Sequence, residues 1–196
     1  METRRLALRP WCLEDATDFH RIWGDSRVKW WGRPNSTVTE SRIQLAKILE
    51  RSTKMSLGLG WWAIEDRARA GIIGDVFLQP LAYEPKTVEL GYHLVPDAWG
   101  HGYATEAAQA ILTYGFTVLG LDCIVALVHI DNARSLKVAG RLNLMDCGPV
   151  DHAGLPHRRF EARPCVRETG IPDEQGMALS VTDWRDFQNR EPKTRL

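Results

Sequence analysis

Two neighbouring stretches carry the residue types that chemistry needs. In Thr87–Val95, side chains alternate across a strand, so Val88, Leu90, Tyr92 and Leu94 share one face while Glu89, Gly91, His93 and Val95 share the other. A face holding a carboxylate and an imidazole behind an apolar one is unlike a plain solvent edge, and a carboxylate so placed is a candidate general base. Close behind it, Trp99-Gly100-His101-Gly102-Tyr103-Ala104-Thr105 leads into a helix. The two glycines let the backbone turn sharply and approach a ligand, and the exposed N–H groups with the positive helix end favour phosphate oxygens. On local pattern alone the loop is either an anion cradle or a glycine-rich connector.

Known nucleotide motifs narrow this choice only partly. No G-x-x-x-x-G-K-[S/T] string exists in the chain, and Thr105 stands where a dinucleotide fingerprint needs a third small residue. Cys147, His152, His157 and Cys165 match no standard zinc spacing, so no metal is expected. Cys12, Cys123, Cys147 and Cys165 form no C-x-x-C pair, which suits reduced thiols in the cytoplasm.

The elements that must position these residues follow from periodicity and caps. Leu6–Arg9 and Gly60–Glu65 read as strands, Gly71–Gln79 completes a hairpin with the latter, and Cys123–His129 is a further strand. Helices are expected over Leu13–Trp23, about Thr39–Arg51, Glu106–Leu119 and Ala133–Leu142, the last capped by Asn132 and followed by Asn143 in a left-handed position. Phe160–Ala162 and part of Met177–Val181 are expected as late strands, with His152 and His157 in loops beside them. A single domain over residues 1–187 is expected, with a polar tail over 188–196.

Composition sets the limits. The 196 residues are 44% hydrophobic and 26% charged, an ordinary globular balance. Lys+Arg and Asp+Glu are both 25, so a broad basic surface for nucleic acid or anionic membrane is not expected. The uncharged run Ala107–Leu121 is too short for a membrane span, and the first residues lack the apolar stretch of a secretory signal.

The block VELGYHLVPDAWGHGYATEAA, Val88 to Ala108, resembles the acetyl-CoA-binding core of the GNAT N-acetyltransferase superfamily. It is most similar to the Rim-type ribosomal-protein N-terminal acetyltransferases. Asn132-Ala133-Arg134-Ser135 is similar to the N-x-x-S helix start of that branch, and the resemblance extends over about residues 5 to 165. One departure stands out: Asp97 occupies the position where the superfamily commonly carries Gln or Arg. The implied fold is α/β (α+β), a mixed, mostly antiparallel twisted sheet with two splayed parallel central strands and flanking helices.

The resemblance implies acetyl transfer from acetyl-CoA directly to a primary amine, with a peptide or protein N-terminus favoured over a small molecule. Thr87–Val95 and Cys123–His129 become the splayed strands. Backbone groups of His93, Leu94 and Val95 would meet the pantetheine arm. Gly100, His101, Gly102, Tyr103, Ala104 and Thr105 would cradle phosphates, and Asn132, Arg134 and Lys137 complete the cofactor set. Glu89 would be the base, or else a carboxylate paired with an arginine or the backbone. Ser135 would protonate the departing thiolate, or merely satisfy N–H groups at its helix start. Tyr103 is another possible proton donor. Trp30, Trp31, Arg33 and Asn35 would wall the acceptor site or pack beneath a loop. A monomer or homodimer is expected. A non-catalytic acyl-CoA sensor of the same fold remains the alternative.

Overall fold

The structure, a computed structural model, describes residues 1–28, 34–56 and 58–164. Among these residues seven strands form one sheet: β1 (Leu6–Pro10), β2 (Gly60–Asp66), β3 (Ile72–Leu81), β4 (Glu84–Leu94), β5 (Ile124–His129), β6 (Met145–His152) and β7 (Leu155–Ala162). Among the described residues four α-helices flank it: α1 (Ala16–Trp23), α2 (Val38–Lys54), α3 (Tyr103–Thr117) and α4 (Ala133–Arg141). The strand order is β1-β2-β3-β4-β5-β7-β6. The β4–β5 pair is parallel and joins only at Val88↔Ile124 and Glu89↔Val125, whereas the other neighbours pair antiparallel. Beyond Glu89 the two strands part, as expected of the splayed pair.

Register and the two-residue period assign the faces. Asp75, Phe77 and Gln79 stand opposite His93, Gly91 and Glu89, and α1 covers this face through Trp23. The Trp23 Nε1–H donates to Asp75 Oδ2 at 2.8 Å, and its ring lies 5.7 Å from that of Trp61. Behind the sheet, Val88, Leu90 and Leu94 pack in the main core with Ala107, Ala108 and Ile111 of α3. A Cβ at Gly115 would lie 2.5 Å from Ile124 Cδ1, so the isoleucine side chain would have to shift to admit one where α3 meets β5. A second cluster seats Ala139 of α4 on Ala126, Val128 and Phe160.

Several boundaries shift for local reasons. Helix α3 begins at Tyr103, because Gly102 (φ 81°) makes the turn into it and Glu106 lies within its first turn. Helix α2 starts at Val38, with Thr37 accepting from the Glu40 N–H at 3.1 Å. The expected helix over Leu13–Trp23 opens as a single 3₁₀ turn, Leu13–Asp15, before α1. Asn143 takes the expected left-handed conformation (φ 53°).

The late strands need a larger correction. Residues 145–162 form a complete hairpin, so His152 closes β6 and His157 lies within β7; neither is a loop residue. Its turn places Ala153 (φ 54°) and Gly154 (φ 76°) both at positive φ, as a tight hairpin turn requires. The expected strand within Met177–Val181 and the tail lie outside the described residues, as do Trp30, Trp31 and Arg33.

Candidate active site

The parting of β4 from β5 opens a cavity of about 600 Å³ that reaches both faces of the sheet. At one end lies the glycine loop. Gly100 (φ 80°) and Gly102 (φ 81°) adopt a backbone that side chains resist, and open space surrounds the Cβ position of Gly100. The N–H of Glu106 bonds the Gly102 carbonyl, so those of Tyr103, Ala104 and Thr105 have no carbonyl one turn back within the helix. Thr105 Oγ1 is buried without a partner among the described residues. An orphan hydroxyl beside three helix-start donors fits a phosphate group.

The N-terminal segment braces this loop. Arg5 donates to the His101 carbonyl (2.9 Å) and to Glu106 Oε2 (2.6 Å), and Thr3 donates to Glu106 Oε1 (2.6 Å). Burial alone would raise the Glu106 carboxyl, but bonds from Thr3 and Arg5 hold it below its ordinary range. Tyr103 donates its hydroxyl to Asp66 at 2.8 Å and lies beneath the Arg5 guanidinium. Its phenol therefore fastens the loop to β2. Asp97 is exposed, and its charge adds to that of Asp25 in raising the Arg27 guanidinium. Arg134 stacks over the Trp99 ring at 4.4 Å, while Asn132 and Lys137 line the cavity.

The strand backbone corrects one expectation. Val95 N–H donates to the Ile73 carbonyl at 2.9 Å, so the odd-numbered amides of β4 serve β3. The even-numbered ones, those of Tyr92 and Leu94, point toward the cleft. Of His93, Leu94 and Val95, Leu94 is thus the residue whose N–H faces the cleft, while its carbonyl accepts from Trp99 Nε1 at 2.9 Å.

On the α4 side, Asn132 Oδ1 accepts from the Ser135 N–H at 3.1 Å, which completes the helix cap. The Ser135 side chain lies near the Tyr92 phenol, which burial pushes up to about 12. Tyr92 was visible in the sequence only as one of four residues on an apolar face. Its partnership with Ser135 depends on where α4 docks.

On the opposite face, Glu89 Oε2 accepts from Gln79 Nε2 at 3.1 Å, and Gln79 Oε1 in turn accepts from Trp61 Nε1 at 3.3 Å. The carboxylate is thus held by a neutral amide. Burial pushes its pKa above the ordinary range, partly offset by Gln79 and by the nearby His152 and His93. Trp61 stacks on Phe77 at 4.2 Å, giving this side an aromatic wall. His93 bonds Asp75 Oδ1 at 2.7 Å through Nδ1, and Asp75 has no exposed surface. His129, His152 and His157 border the same cavity; the sequence reading missed the latter two by placing them in loops. Asn35 is committed elsewhere, donating to Ser41 (3.1 Å) and Gln44 (2.7 Å) at the α1–α2 junction. Among the described residues, no group of three or more His, Cys, Asp or Glu is placed to hold a metal, and no helix is long and apolar enough to cross a membrane.

Comparison with known proteins agrees with this fold. A family model described as an acetyltransferase (GNAT) domain matches residues 5–145. The uncharacterized N-acetyltransferase YoaA of Bacillus subtilis (strain 168) is 31% identical over 139 residues, spanning 70% of this chain and 78% of that protein. Among solved structures, the acetyltransferase (GNAT family) from Bacillus anthracis has a TM-score of 0.69 at 22% identity, covering 83% of this chain and 97% of that one. Ribosomal-protein-S5-alanine acetyltransferase from Vibrio fischeri has a TM-score of 0.68 at 18% identity, covering 88% and 98%. These two structures share the fold.

Proposed function

We propose, from the premise that the chain belongs to the GNAT acetyltransferase family and is an acyltransferase, that it moves the acetyl group of acetyl-CoA directly to a primary amine in the cytoplasm, with a peptide or protein N-terminus as the favoured acceptor. One observation carries this reading. A buried carboxylate, Glu89, and two neighbouring hydroxyls, those of Tyr92 and Ser135, stand on opposite sides of one cleft.

Acetyl-CoA supplies an activated thioester whose carbonyl is open to attack. The glycine loop and the Thr105 hydroxyl would hold its phosphates, and the Leu94 N–H would stabilise charge developing on the thioester oxygen. Glu89, its pKa raised by burial, accepts a proton from the incoming ammonium. The Tyr92–Ser135 pair returns a proton to sulfur on the far side. No covalent enzyme intermediate is needed.

An α-amino group suits a single, modest base. Its reference pKa of roughly 7.7–8.0 leaves a useful neutral fraction near neutral pH, whereas a lysine amine near 10.4 is almost fully charged. The test is a mass-spectrometric screen with acetyl-CoA against short peptides of varied N-terminal residue, a lysine side-chain peptide with a blocked N-terminus, spermidine and simple alkylamines. Acetylation at the peptide α-amine is expected. Turnover of small amines alone would move the acceptor to that class, and binding of acetyl-CoA without any turnover would favour a sensor.

A further inference from the structure

The Glu89 carboxylate is aimed by a row of side chains that crosses three strands. In register, Trp61 of β2 faces Phe77 of β3, and Gln79 of β3 faces Glu89 of β4. Paired residues and residues two apart share a face, so all four stand on one side of the sheet, with Trp61 and Gln79 as diagonal neighbours. Gly91, opposite Phe77, is the foot of the row. A Cβ there would lie 2.1, 2.5 and 2.9 Å from three atoms of the Phe77 ring, so the ring would have to move to admit one. Trp61 stacks on that ring, with 4.2 Å between centroids and 15° between planes, and Trp23 lies 5.7 Å from it. The stack fixes the direction of the indole, whose N–H reaches Gln79 Oε1 at 3.3 Å.

Chemistry sets the polarity of the next link. An indole N–H only donates, and an ionised carboxylate only accepts. The Gln79 amide between them meets both demands in one orientation, with Oε1 toward Trp61 and Nε2 donating to Glu89 Oε2 at 3.1 Å. Turned over, the amide would set N–H against N–H at one end and oxygen against carboxylate at the other. A protonated Glu89 would suit the turned-over amide, because its O–H could then donate to the amide oxygen. The Trp61 indole opposes that exchange.

We propose that Trp61 and Gln79 are positioning residues: the indole locks the amide, and the amide holds Glu89 as a proton-accepting carboxylate with Oε1 left for the incoming ammonium. This rests on the acetyl-transfer reading for what the carboxylate does. Burial works against the ionised form of Glu89, and the Gln79 bond works for it. The titratable groups whose charge reaches Glu89 are His93 on β4, His152 on β6 and Tyr83 between β3 and β4. Arg27 and Arg51 border the same cavity, and on β7 Glu161 is paired with Arg159 and Arg163. Among the described residues, Gln79 is the one that hydrogen-bonds the carboxylate.

NMR titration of carboxyl-labelled glutamate in the full chain, with Glu89→Gln to assign the signal, reads this carboxyl without any turnover. Trp61→Phe keeps a stacked ring and deletes the donor, and Gln79→Met keeps the side-chain length and deletes the amide. Each is expected to raise the Glu89 pKa by about one unit, the size of one hydrogen bond to a charged group. Because Trp61 acts through Gln79, adding Trp61→Phe to Gln79→Met should raise it no further. A Glu89 pKa unmoved by Trp61→Phe, or two shifts that add in the double variant, would overturn the lock. Acetylation of tri-alanine reads the consequence, since the acid limb of kcat should move up together with the titration in both single variants. A limb that stays in place while the titration moves would keep the lock and overturn Glu89 as the base.

Discussion

Glu89 and Tyr92 stand three residues apart on β4, and that odd spacing turns them to opposite faces of the sheet. The cleft beside β4 connects the two faces. A carboxylate and a phenol are thereby separated by the strand itself: the carboxylate meets Gln79 and the aromatic wall, while the phenol lies beside Ser135 beneath α4.

Glu89→Gln tests the base. With a peptide α-amine the loss of kcat/KM is expected to be about tenfold, and with a lysine side chain about a hundredfold or more, because the second acceptor is far less neutral. The same substitution has a stability signature. Burial raises the Glu89 pKa, so its ionised form costs the folded state at neutral pH, and that cost fades as pH falls through the raised value. Glu89→Gln should therefore raise Tm at neutral pH and leave it unchanged below about pH 4. Equal Tm at both pH values would contradict the buried, destabilised carboxylate.

The thiolate side separates by two substitutions. Tyr92→Phe removes the phenol and should lower kcat about tenfold or more with little change in KM for acetyl-CoA, whereas Ser135→Ala should cost less if Tyr92 is the atom that meets sulfur. The reverse order would assign the proton to Ser135, and unaltered kcat in both would remove the pair from the chemistry.

Trp23→Phe keeps a ring in place but deletes the donor to Asp75, leaving a buried carboxylate oxygen short of its 2.8 Å partner. A loss of about 1–3 kcal/mol in unfolding free energy is expected. Chemical denaturation measures it directly, and a neutral outcome would show that water replaces the indole.

Gly102→Ala forces a side chain into left-handed backbone (φ 81°) at the entry to α3. The strain is about 1–2 kcal/mol, and weaker acetyl-CoA binding should accompany a lowered Tm. Loss of stability with undiminished affinity would mean that the loop does not contact the cofactor.

Much of this site could be read from local pattern. The alternation in Thr87–Val95, the glycines at 100 and 102, and the Asn132 cap each leave a mark within a few residues, and each lies where it was expected. The hairpin of β6 and β7 left a weaker mark. Its turn is Ala153-Gly154 rather than Asn-Gly, and a bulge between Asp146 and Pro149 breaks the two-residue period, so His152 and His157 passed for loop residues. Asp75 gave no signal either, because its donors, Trp23 and His93, are 52 and 18 residues away. The pairing of backbone amides was equally hidden: the alternation shows which side chains share a face, but only the β3 register reveals that Val95 N–H is spent on Ile73.

The account's central claim is that the cleft between β4 and β5 is an acetyl-CoA site. The most direct measurement is thermal unfolding, followed by tryptophan fluorescence, with acetyl-CoA, CoA, ATP and NAD added separately. A ligand that binds only the folded state contributes about 2.7 kcal/mol at 100 times its Kd. The account predicts a raised midpoint with acetyl-CoA and CoA and none with ATP or NAD. No shift with either CoA species, or equal shifts with all four nucleotides, would contradict it.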